Sequence, residues 1–93
     1  MPDARVKSVL ESIAANVRRA RLRRGLTQEE AAELADLDLR FFQRVEAAKT
    51  NMTIGGLVRL SDGLDVPLAS LLRPADMPAR PRGRPKQRRR STQ

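Results

Sequence analysis

The sequence predicts an all-α fold, five helices in one small domain over residues 1–72, followed by a disordered basic tail over residues 73–93. Three observations carry this. Apolar residues recur at spacings of three and four from Val6 to Leu72, the period of a half-buried helix. Cap-forming residues stand directly ahead of three of these apolar segments, at Thr27, Asp38 and Thr53. From Arg73 the composition turns to Arg, Pro and Gly with scarcely any apolar content, so nothing in it can form a core.

Residues 1–5 read as a frayed start. From there Val6, Val9, Leu10, Ile13, Val17 and Ala20 predict an amphipathic helix to Arg23 or Arg24, with Gly25 as its terminator. Its basic run, Arg18, Arg19, Arg21, Arg23 and Arg24, suits either a solvated face or contact with phosphate. Thr27 and Glu30 then write a capping box, with Leu26 placed to act as a hydrophobic staple. Ala31, Leu34 and Ala35 continue that second helix to Asp36-Leu37-Asp38, where two turn-favouring residues flank one apolar residue.

Asp38 can cap a third helix. In it Phe42 and Val45 face one way while Arg40, Gln43 and Arg44 point elsewhere, giving an apolar back and a cationic, hydrogen-bonding front. Phe41 lies about 100 degrees round from Phe42, so it is expected to cover an edge of the helix pair while Phe42 is buried. Thr53 caps a fourth helix with Ile54, Leu57, Leu60 and Leu64 on its inner face. Gly55, Gly56 and Gly63 are weak points there, each costing about 1 kcal/mol relative to Ala. Pro67 starts a last short helix with Leu68, Leu71 and Leu72 apolar.

Ninety-three residues suffice for one core. The absence of Cys and His removes disulfides, thiolate or imidazole metal sites and Cys or His nucleophiles. No catalytic residue, metal or cofactor is therefore expected, and an enzyme is the weakest reading. No apolar run approaches 18 residues and no leader pattern is present, so a cytoplasmic protein without a membrane partner is expected. The net charge of +8 is unevenly placed: residues 1–72 hold eleven Lys or Arg against ten Asp or Glu, and residues 73–93 hold eight against one. A tail of +7 without an apolar face suits a nucleic acid better than a membrane.

The stretch Thr27 to Glu46, two short helices about a tight turn, resembles the helix-turn-helix of the lambda-repressor-like, Cro/CI-type (XRE) DNA-binding family. Gln28 falls on the first motif position, Ala32 on the fifth, Leu37 on the buried turn position, and Phe42 and Val45 on the apolar positions of the recognition helix. The pattern can be laid on residues 13–72 without a gap. Three residues depart from it: Asp36 and Ala48 stand where Gly is usual, and Met52 where Pro is frequent.

The resemblance implies double-stranded DNA as partner. In the family's docking mode the recognition helix enters the major groove, so Leu39, Arg40, Gln43 and Arg44 would reach base edges. Thr27, Gln28, Lys49, Thr50 and Asn51 would meet phosphate, and Arg21 would pair with Glu46 to tie the first helix to the third. It further implies a homodimer joined through the C-terminal helices, although those helices would serve equally to close the domain's own core.

In the tail, residues 81–86 (PRGRPK) resemble an AT-hook. Arg82 and Arg84 would enter the narrow minor groove, Gly83 would let the backbone approach its floor, and Lys86 would add charge. A generic phosphate-binding tail is the rival reading. The expectation is a nucleoid-associated, homodimeric transcriptional repressor on an inverted-repeat operator. The alternatives are an antitoxin-type module with a regulatory partner protein, and RNA binding through the tail.

Overall fold

The computed structural model describes residues 4–75; residues 1–3 and 76–93, including the hook-like segment 81–86, lie outside the described residues. Five helices follow one another: α1 Ala4–Arg23, α2 Gln28–Leu34, α3 Leu39–Glu46, α4 Ile54–Leu64 and α5 Leu68–Leu72. No strand occurs among the described residues.

The helix starts are chemical. Thr27 and Glu30 form the complete capping box, with Glu30 N donating to Thr27 Oγ1 at 3.0 Å and Thr27 N donating to Glu30 Oε1 at 2.9 Å. Asp38 accepts from Arg40 N and Phe41 N, and Thr53 accepts from Gly56 N. Each side chain satisfies a donor that the helix itself leaves open.

The ends of α1 to α4 share one device. Gly25, Asp36, Ala48 and Asp65 each adopt a left-handed backbone with φ between 57 and 70°. Behind them Leu26, Leu37, Lys49 and Val66 donate back to the carbonyls of Arg21, Ala32, Arg44 and Ser61, the six-to-one bond of a Schellman stop. Leu26, Leu37 and Val66 then pack on the core. Only at Gly25 is this conformation free of the steric cost that a Cβ brings.

Along α1 run α3, α4 and α5, and α2 lies against α3 and α4. Phe42, Leu60, Leu64, Leu71 and Val17 are the largest fully buried side chains, with Ile13, Ala31, Ala32, Ala35, Val45 and Leu57 around them. Each large apolar side chain so buried stabilises the fold by about 1.5–3 kcal/mol.

Several expectations are corrected. Helix α1 begins at Ala4, inside the stretch read as frayed. Ile54, read as inward-facing, is 70 % exposed, and Leu34 and Leu72, read as apolar members of their helices, are 52 and 44 % exposed. Ala32 takes the buried place beside Ala31 and Ala35, so the apolar side of α2 meets the core through methyl groups. Gly63 is required rather than tolerated: a Cβ there would come within 2.7 Å of Ala35 N. Past residue 72 the chain still bonds to α1. Asn16 Nδ2 donates to Leu71 O at 3.0 Å and Arg73 O at 2.8 Å, while Ala75 N donates to Ser12 Oγ at 3.1 Å. Arg73–Ala75 thus run back along α1.

Candidate nucleic-acid interface

Helix α3 is amphipathic with a purpose on each side. Phe42 and Val45 anchor it in the core, and Arg40, Gln43 and Arg44 stand exposed on its other face. Asp38 holds its first turn. Its last turn is held by an ion pair: Arg21 Nε meets Glu46 Oε2 at 2.6 Å and Arg21 Nη2 meets Glu46 Oε1 at 3.1 Å. A two-point guanidinium fork on a carboxylate fixes orientation as well as distance. The third Arg21 nitrogen, Nη1, donates to Leu26 O at 2.9 Å, so one side chain ties α1, the turn before α2 and α3 together.

A polar chain continues outward from this pair. Gln28 Nε2 donates to Glu46 Oε1 at 3.0 Å, and Gln43 Nε2 donates to Gln28 Oε1 at 3.2 Å. The Gln28 amide, expected at phosphate, is therefore already engaged by Glu46 and Gln43. Thr27 is likewise engaged, its Oγ1 serving as the cap of α2. Lys49 and Asn51 are exposed on the loop after α3, and Thr50 is half-buried with its Oγ1 donating to Asn51 O at 3.3 Å. Leu39 and Phe41 are half-buried against the core. The structure thus gathers Arg21, Gln28, Gln43 and Glu46 into one network and leaves Arg40, Arg44, Lys49 and Asn51 open on the surface. Arg82, Gly83, Arg84 and Lys86 lie outside the described residues.

Sequence reasoning missed two kinds of residue. Arg24 Nη1 donates to Gly63 O at 3.1 Å and Arg59 Nη1 to Asp36 O at 3.3 Å, so these arginines serve backbone carbonyls at or near helix ends. Asn16 is the buried hub that holds Leu71 and Arg73. Its signal was present: a polar amide set between Ile13 and Val17 on the inward stripe needs a partner inside.

A family model described as a helix-turn-helix domain matches residues 12–73. The chain belongs to this helix-turn-helix family. Its relatives include the control protein C.SmaI of Serratia marcescens, 34% identical over 74 residues that cover 77% of this chain and 88% of that one. Among solved structures, the restriction-modification controller protein C.AhdI from Aeromonas hydrophila superposes with a TM-score of 0.65 at 29% identity, covering 67% of this chain and 94% of that chain. A hypothetical transcription factor, NHTF from Neisseria, gives a TM-score of 0.70 at 28% identity, covering 80% and 83%. As a helix-turn-helix family member the protein is a double-stranded DNA-binding transcription regulator and not an enzyme. Among the described residues no helix is long and apolar enough to cross a membrane.

Proposed function

We propose that this regulator acts as a homodimeric repressor on an inverted-repeat operator. The observation that carries the reading is the exposed set Arg40, Gln43 and Arg44 on a helix whose orientation is set by the buried Arg21–Glu46 pair. Arg40 and Arg44 are the guanine readers, since a guanidinium can take both acceptors of a guanine edge, and Gln43 reads adenine. Leu39 presents the exposed part of its side chain to a thymine methyl. Lys49, Thr50 and Asn51, with the backbone N–H of Gln28 at the start of α2, position the duplex by its phosphates, while the Thr27 hydroxyl and the Gln28 amide stay on their partners within the protein.

Two copies would set their recognition helices about 34 Å apart, one turn of duplex. The surface suited to the second copy is the apolar groove between the first turns of α1 and the α4–α5 side, where Val6, Val9, Met52, Leu57 and Leu72 meet. The tail adds minor-groove contact through Arg82, Gly83, Arg84 and Lys86, and the protein works at the nucleoid. Similarity to the controller C.AhdI favours the genes of a restriction-modification system as the regulated set.

Selection of duplexes from a random pool at about 0.15 M salt tests the reading. The full chain should enrich an inverted repeat bound by two chains, with A·T flanks that vanish in the Arg82→Ser, Arg84→Ser variant. Recovery of no sequence, or a preference for single-stranded RNA, would overturn operator recognition.

A further inference from the structure

We propose that the buried Arg21–Glu46 pair sets, through Gln28, which way the Gln43 amide faces, and that Gln28 is thereby a positioning residue for base choice. This rests on the reading of Gln43 as a base reader, and it gives Gln28 a role distinct from phosphate contact.

A guanidinium only donates and an ionised carboxylate only accepts. Glu46 takes two N–H groups from Arg21 and a third from Gln28 Nε2 at 3.0 Å. Turning the Gln28 amide over would set its oxygen against a carboxylate oxygen, so its NH₂ points inward and its Oε1 points outward. That oxygen can only accept, and Gln43 accordingly turns its own NH₂ toward it, at 3.2 Å.

Gln43 is then left with one N–H and its Oε1. This is the donor and acceptor pair that an adenine edge takes through N7 and N6. A guanine edge offers two acceptors, N7 and O6, and would set O6 against the Gln43 oxygen. The polarity begins at a buried charge on α1 and ends at an exposed amide on α3, each step held by a hydrogen bond.

The test uses the full chain and the selected duplex with each base pair changed in turn, read by fluorescence anisotropy. Gln43→Ala should lower the adenine preference at one position in each half-site. Gln28→Met, similar in length but without the amide, should lower it at that same position by about tenfold. The double variant should add nothing further. Glu46→Gln should lower the same preference, because its one oxygen cannot accept from both Arg21 nitrogens and its NH₂ is set against an Arg21 N–H, which loosens the first link of the relay.

Melting temperatures check folding, and if Glu46→Gln fails to fold the other two variants still decide. A Gln28→Met variant that weakens all sites evenly while Gln43→Ala changes one base preference would overturn the relay and leave the base reader standing. A Gln43→Ala variant that changes no preference would overturn both.

Discussion

Gly63 of α4 lies so near Ala35 at the end of α2 that a Cβ on it would sit 2.7 Å from Ala35 N and 2.8 Å from Ala35 Cα. Backbone is the obstacle, and backbone cannot rotate aside. Gly63→Ala should therefore destabilise by about 1–3 kcal/mol despite its better helix propensity. Gly55→Ala should do the reverse by up to about 1 kcal/mol, since only Thr53 Oγ1 comes near, at 3.8 Å. At Gly56 the obstacle is the Met52 methyl at 2.9 Å, the far end of a flexible side chain, so Gly56→Ala should also raise the melting temperature. Thermal melts of the three variants should rank them in this way.

Removing one partner of the buried ion pair leaves a charge without compensation. Both side chains are nearly enclosed, at 11 and 4 % exposure, so Glu46→Ala should cost about 3–5 kcal/mol in urea unfolding. A cost under about 1 kcal/mol would show that the pair behaves as a surface contact.

Ala48 holds φ at 59° after the recognition helix. Ala48→Gly should stabilise by about 1 kcal/mol, because glycine adopts this backbone without the penalty of a Cβ. Urea midpoints of the two forms check it, and the DNA site selected should be the same.

Asn16 satisfies two carbonyls at the end of α5. Asn16→Leu should destabilise by about 1–3 kcal/mol in urea unfolding, since the buried Leu71 carbonyl loses this partner.

Arg40 and Lys49 should separate by the kind of binding they lose. Arg40→Ala should relax selection at one base pair by about 1–3 kcal/mol, whereas Lys49→Ala should weaken all duplexes evenly and lower the salt slope by about 1. Binding isotherms on matched and mismatched duplexes across a salt series distinguish the two.

What was legible in the sequence was local or patterned. The capping box at Thr27 and Glu30 spans four residues, Asp38 caps within three, and Phe42 sits on a helical period whose other side is charged. Ile54 misled because periodicity identifies a wide apolar stripe but not the part of it that a neighbouring helix covers. Gly63 read as a defect for a related reason: its need comes from Ala35, 28 positions earlier, and only the packed pair shows it. The Gln28 amide was read as free because the carboxylate that engages it lies 18 residues on. The left-handed backbone at Asp36 and Ala48 could be suspected from where glycine usually stands, while at Asp65 no comparable cue was read.

The four left-handed stops bear on how quickly the protein becomes usable. Each is closed by a bond between residues five apart, so α1 to α4 can be ended by the chain's own neighbourhood before any distant contact exists. Folding that rests on such near-neighbour contacts is completed in about microseconds to milliseconds for small helical domains. Folding on that scale is short beside the roughly 5–20 s that synthesis of a 93-residue chain takes, so it adds little to the time between synthesis and a finished domain.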